Sequence, residues 1–384
     1  MIKLPVKFPF HYLLSLVLFS CGKKEASEAL SWVIEPSGEK LQLPLDDQTP
    51  NLSMGISYFE AQKPLLFNVV WETNSLQIYD LEGKKLEKNL TFEREGDQGI
   101  ELAYFHVHNL DSIFLFPPFG NQFVLTDTSG IIKNRIRYEL PAGYPMLFVH
   151  NSYYVSPPQV VGKELFAKVR ADGQPSQFTQ VQLDTLALRA AIDLETGAVR
   201  LEPFGFPKDY LSRGQKKLEY SLSTHGDRKV VSFIGDHNVY FSDSESAPLV
   251  PKLAKSQFLD EIMPSFSKDV DSRRFNEYSF AKSRYESLVY DPYRKVYYRF
   301  AFPTLTLDSD DQLKALRTSP GPFVVMVLDE ELNVLTERRF DAGTYLPANF
   351  FVGEKGLYIS LSHPDNPENK EDLMSFELIS LKSK

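Results

Sequence analysis

From Trp32 onward the chain reads as short runs of Phe, Tyr, Val, Ile and Leu, broken every few residues by Gly, Asn, Asp or Pro. Period-two alternation dominates and long helical periodicity is scarce, which predicts an all-β domain. One unit recurs. Asp111–Phe116 and Asn121–Asp127 are followed by a turn at Ser129-Gly130 and then by Ile131–Tyr138. Asn68–Trp71, Ser75–Asp80, a turn at Glu82-Gly83 and Lys85–Phe92 repeat the arrangement. A strand ending in Asp, a Gly turn and a further strand make an outer hairpin, because Asp hydrogen-bonds the turn and Gly tolerates φ > 0. Looser copies follow. Asn151–Ser156 leads across an irregular polar stretch to Ala190–Asp193 and a Glu195-Thr196-Gly197 turn. Val230–Ile234 and Asn238–Ser242 precede Lys252–Ile262, which is expected to form a short amphipathic helix. Ser287–Asp291 and Lys295–Phe300 continue as Phe323–Asp329 and Asn333–Phe340, and the last group is Asn349–Val352, Leu357–Ser362 and Met374–Leu381.

The spacing, roughly 45–60 residues, is that of four-stranded β-propeller blades, and about six can be counted. The N-terminal pair Trp32–Ile34 and Lys40–Leu43 has no blade of its own, while the last blade lacks its outermost strand. Closure by an N-terminal strand pairs both leftovers and removes two exposed edges. Two β-sandwich domains are the competing arrangement. The repeat favours the propeller, since it crosses the chain without a clear linker.

The first twenty residues carry a different pattern. Lys3 and Lys7 precede a short apolar run, Tyr12–Phe19. A spanning helix needs about 20 apolar residues, so this run reads as a secretory signal. It ends in Leu18-Phe19-Ser20-Cys21-Gly22, which resembles a bacterial lipobox. That resemblance implies recognition by signal peptidase through Leu18, Ser20 and Gly22 and lipid on Cys21, with acyl chains enough for stable anchoring. The expected organisation is a signal peptide over 1–20, a lipidated tether over 21–30 and a β-propeller over 31–384. The expected location is the cell envelope, at the outer membrane, with the side it faces left open.

Cys21 is the sole cysteine, so the domain after it has neither disulfide nor zinc–thiolate site. It must fold on burial alone, which its length allows. The formal charge is −9, and loss of Lys3 and Lys7 makes the mature chain more acidic. No basic block occurs, so nucleic acid is a poor partner.

Three stretches resemble an uncharacterised family of Bacteroidota lipoproteins, a domain of unknown function similar to six-bladed propellers. They are Glu95-Gly96-Asp97-Gln98-Gly99-Ile100 leading into Asp111–Leu115, Tyr290–Arg299, and the lipobox. Asp97 stands where the family pattern has Pro. The resemblance implies fold and location and brings no activity with it.

Candidate chemistry is sparse. His106 and His108 share one face of a presumed strand, as metal ligands can, but two imidazoles make no site, and polar positions near a blade edge are the better reading. Asp308-Ser309-Asp310-Asp311 lacks the spacing of a calcium loop and suits the start of a helix over Gln312–Arg317. Arg273, Arg274 and Arg284 could meet an anion at a blade mouth, although a solvated loop is favoured. Asp111-Ser112-Ile113 and Asp184-Thr185-Leu186 match a short O-glycosylation tripeptide that chance readily produces. No nucleophile elbow, phosphate loop or dinucleotide fingerprint is present, and no cofactor, metal or catalytic residue is assigned. The expected function is non-catalytic binding of a protein partner or glycan on loops near 157–185, 303–322 and 364–372. The alternative is a propeller enzyme, a metal-assisted hydrolase or lyase with ligands gathered in the central channel.

Overall fold

The computed structural model describes Met1 and residues 32–244 and 247–383; the rest of the expected signal segment and Cys21 lie outside them. Six antiparallel sheets follow one another along the chain and form the blades of a propeller. The first blade is Ile56–Glu60, Pro64–Val70, Ser75–Asp80 and Lys85–Thr91. First strands of neighbouring blades touch: Ile56–Glu60 meets both Tyr104–Asn109 and Leu346–Gly353, and Tyr220–His225 meets Arg284–Asp291. These strands therefore line the axis, and the charged fourth strands face outward.

The sixth blade is composite. Leu346–Gly353, Gly356–Ser360 and Leu373–Ser383 take Trp32–Pro44 as their outermost strand. The sequence suggests two short strands here, but one 13-residue strand forms, with a bulge between Pro36 and Lys40. Gly38 turns it at φ 80° and donates its N–H to Glu377 Oε1.

An apolar cluster fills each seam between blades. Phe67 and Leu76 of the first blade pack with Phe105 and Leu115 of the second. Leu41 and Leu43 of the closing strand pack with Ile56, Leu66 and Tyr79 across the sixth seam, while Ile34 joins the fifth.

The recurrent Asp does what the pattern requires. Asp80 Oδ1 accepts Gly83 N–H, Asp127 Oδ1 accepts Ser129 N–H, and Asp193 Oδ1 accepts Glu195 and Thr196 N–H. In the Tyr290–Arg299 stretch, Asp291 accepts the N–H groups of Tyr293 and Arg294 and the hydroxyl of Tyr298. Arg299 ends that stretch buried, against the face of Tyr285. Its guanidinium reaches Ser232 Oγ and the carbonyls of Asp236, His237, Asn238 and Ala254, all in the fourth blade. With every N–H donor used, a buried cation becomes a rivet between blades.

Three expectations need correction. Lys252–Ile262 is no helix: Val250–Leu253 is the fourth strand of its blade, and Ser256 and Gln257 are tied to Glu337 of the next. A helix does form over Ser272–Ala281, capped by Asp271. Asn151–Ser156 is not a strand, and the stretch after it supplies strands Gln159–Val161 and Glu164–Val169.

Deleting residues 32–44 removes the apolar contacts of Ile34, Leu41 and Leu43 and exposes a sheet edge. A loss of at least ~4 kcal/mol is expected from the burial alone. Chemical denaturation of the whole domain checks this; an unchanged midpoint would show that ring closure is dispensable.

Candidate functional site

The segment His150–Ser156 crosses the centre of the ring. His150 O accepts Ser156 N–H, closing a tight loop, and the residues between bond to four other blades or their leads. Asn151 exchanges two hydrogen bonds with the Phe105 backbone, and Ser152 Oγ donates to Met54 O. Val155 N–H donates to Ser287 Oγ while Val155 O accepts from Ser221 Oγ. Gly55 admits this plug: a Cβ there would lie 2.5 Å from Asn151 Cβ. Tyr153 and Tyr154 both hold φ 49°. Left-handed backbone at a bulky residue costs on the order of 1–3 kcal/mol and persists where surroundings enforce it.

Above the plug lies a pocket of about 510 Å³, a volume suited to a small ligand. Tyr153 and Tyr154 line it together with Lys217, Arg284, Glu286, Phe280 and Phe302, and segments 316–320 and 362–371 contribute its outer wall. Innermost strands of several blades and the loops at one end of the ring thus meet at one place.

The electrostatics are unusual. Glu286 is 6 % exposed and has no hydrogen-bond partner among the described residues. Burial pushes its carboxyl up to about 7, against the pull of Arg284 and Lys217. The Lys217 ammonium is pushed down to about 8 by burial and by Arg284 and sits near the rings of Phe280 and Phe275. Arg284 lies over Phe302 and donates from Nη1 to Phe280 O, leaving most of its fork available. Ser279 Oγ and Ser362 Oγ, both buried on the pocket wall, also lack partners among the described residues. Buried polar groups are rarely left so, and two orphaned hydroxyls beside the Glu286 carboxyl mark the pocket as a place where a polar ligand is met.

Beneath Tyr154 the charges are paired instead. Buried Lys168 donates to Glu219 and to Tyr220 O, and Arg170 donates to Glu219 as well. Burial opposes ionisation of Glu219, but Lys168, His150 and Arg170 outweigh it and hold the carboxyl at about 2. This lower layer is a structural base for the pocket.

The sequence matches the family model "Domain of unknown function (DUF4221)" over residues 33–339. The chain belongs to this family. A solved DUF4221 member from Bacteroides vulgatus is 22 % identical, with a TM-score of 0.80 covering 93 % of this chain and 100 % of that one. A protein from Bacteroides fragilis, 10 % identical, gives a TM-score of 0.52 over 92 % of this chain and 95 % of that one. Both support the propeller fold. Among curated proteins none matches.

Within this DUF4221 chain the sequence candidates separate. Arg284 is on an innermost strand in the pocket, not in a solvated loop, whereas Arg273 pairs with Asp310 and Glu277 on the outside. His106 lies on the innermost strand, one edge of its blade, stacked on Phe114, and burial pushes it down to about 3; His108 is exposed. Among the described residues no group of three or more His, Cys, Asp or Glu is placed to hold a metal. Asp308–Asp311 leads a helix, Asp310–Ala315, with Ser309 as its cap. Ser112 opens a strand, and Thr185 Oγ1 is bonded to Gln182 O. Lys217 and Glu286 escaped the sequence reading. The one signal was a pair of charges, Arg284 and Glu286, at alternate positions leading into an apolar strand.

Glu286 carries a stability signature. Its folded pKa is raised, so the unfolded chain releases the proton first, near 4.5, and stability declines as pH rises from there through about 7. Glu286→Gln is expected to be more stable than the native protein at pH 8, by about 1–3 kcal/mol, with little difference at pH 4.5. Urea denaturation at both values checks the sign; equal stability at pH 8 would show a solvated carboxylate.

Proposed function

We propose that this DUF4221 protein is a lipid-anchored binding module whose central pocket takes a small acidic sugar or the acidic end of a glycan. The observation that carries the reading is the orphaned buried hydroxyls of Ser279 and Ser362, with the Glu286 carboxyl that accepts no hydrogen bond among the described residues, facing the same space as Lys217 and Arg284. Hydroxyls of a sugar satisfy the former, a carboxylate or sulfate satisfies the latter, and Tyr153, Tyr154 and Phe280 offer ring faces. A concave space of this size suits a small molecule better than a protein surface.

A catalytic reading has one observation in its favour: a carboxyl held near 7 is suited to proton transfer. Against it, Glu286 has no hydrogen-bonded partner among the described residues to act as complementary acid or orienting group. Binding without turnover is the better account.

The anchor belongs to the same proposal, with lipid on Cys21 and the outer membrane as the site. In the sixth blade Leu346, Ser360 and Phe376 lie at the pocket end, whereas Trp32 pairs with Ser383 at the other. A tether reaching Trp32 therefore joins the ring opposite the pocket, which then looks away from the membrane.

Calorimetric titration with glucuronate, galacturonate and N-acetylneuraminate is expected to show binding, while glucose and galactose stay silent. Arg284→Ala and Lys217→Ala should each weaken it at least tenfold, a charge-assisted bond being worth about 1.5–3 kcal/mol. Binding of neutral and acidic sugars alike would overturn the charge argument, and release of a cleaved product would favour the enzyme. For the anchor, Cys21→Ala is expected to move the protein from the membrane fraction to the soluble fraction and to abolish metabolic labelling with palmitate. Retention of both would sink that assignment.

A further inference from the structure

We propose that the central pocket is a proton-coupled anion site: an acidic ligand entering between Lys217 and Arg284 brings a proton onto Glu286. This rests on the binding reading above and adds its regulation and the role of Glu286.

Arg284 and Glu286 are two residues apart on one innermost strand, and Lys217 approaches from the fourth blade, so the three charges share one wall of the pocket. Glu286 is the buried one, and no hydrogen bond among the described residues holds it in its ionised form. Its ionisation is sustained by the two cations alone. An anion bound between those cations uses the same positive charge and stands close to the carboxylate. Two like charges in a poorly solvated pocket cannot both be sustained, and the group that can shed its charge is Glu286. Once protonated, it becomes an O–H donor and can bond the ligand it would otherwise repel.

Apart from Lys217, the surrounding groups do not mimic the effect in the neutral range. Tyr153 and Tyr154 on the plug are pushed above their ordinary value by burial, and Glu219 stays ionised down to about 2. Arg317 and Glu371 lie at the exposed mouth. Lys217, at about 8, overlaps the upper part of the window in which Glu286 titrates, and Glu286→Gln separates the two contributions.

By linkage, uptake of one proton makes affinity fall up to tenfold per pH unit once the free carboxyl ionises. The measurement is a ¹³C-NMR titration of the Glu286 carboxyl in the folded protein, alone and with saturating glucuronate or sulfate. Calorimetry of the same probes between pH 6 and 8 accompanies it. The expected result is a midpoint near 7 that rises by at least one unit with the probe, and affinity that declines from pH 7 to 8. In Glu286→Gln, whatever its absolute affinity, the decline over that range should shrink to the part that loss of charge on Lys217 contributes near pH 8. Bound glucuronate with an unmoved midpoint overturns the coupling and leaves the binding reading standing. A midpoint indifferent to both probes, with no heat of binding, overturns both. A native-like pH slope in Glu286→Gln assigns the titration elsewhere and also overturns the coupling.

Discussion

Everything in this molecule hangs on closing the ring. A blade is apolar on both faces, so each needs two neighbours, and six seams are filled only if the first and last blades meet. The closing strand Trp32–Pro44 makes that meeting hold. It pairs along Leu373–Ser383, places Leu41 and Leu43 in the sixth seam and Ile34 in the fifth, and covers the edge the last blade would otherwise expose. The chain carries no disulfide to share that load, since its one cysteine precedes the domain. Non-local pairing of the two ends therefore substitutes for covalent restraint, and Arg299 adds a polar rivet at a different seam.

Closure also makes the pocket possible. Its walls come from blades far apart in sequence, and they converge only when the ring is complete. The plug completes it from below. Two consecutive tyrosines in left-handed backbone are strained, yet Asn151, Ser152 and Val155 are each fastened to a different blade, so the ring dictates the plug's shape. Strain held in this way places Tyr153 and Tyr154 under the pocket. The ionic layer of Lys168, Glu219 and Arg170 then supports Tyr154 from the other side, with Lys168 5.8 Å from its ring.

Much of the fold was legible because it is written in local chemistry. Asp80, Asp127 and Asp193 sit at strand ends for hydrogen bonds within a few residues, and such bonds leave a pattern with a readable period. The errors came where distant partners overrode local preference. Lys252–Ile262 has Ala254, Phe258, Leu259 and Ile262 at a spacing suited to a helix, but Ser256 and Gln257 are claimed by Glu337, eighty residues on. Asn151–Ser156 reads as a strand and becomes a plug because its partners lie in four other parts of the ring. The site was hidden for the same reason. Lys217 and Glu286 are ordinary charges in sequence, and only the closed ring brings them to the wall of one pocket.

The contrast between two carboxylates at the axis argues most directly for binding. Glu219 and Glu286 occupy neighbouring blades, the first partly buried and the second buried. Glu219 accepts from Lys168 and Arg170 and remains ionised to about 2; Glu286 accepts from nothing described and is lifted to about 7. Burial acts in the same direction on both, so the difference comes from the neighbouring charges: Lys168, His150 and Arg170 outweigh burial at Glu219, and Arg284 and Lys217 do not at Glu286. Moving Lys217 into contact with Glu286 would neutralise the pocket and remove the cost of an isolated buried carboxyl. The chain instead keeps the ammonium near Phe280 and the guanidinium over Phe302, where aromatic faces steady each cation and leave its donors directed to the pocket. A charge arrangement that forgoes its own internal pairing is suited to pairing with something that arrives from outside.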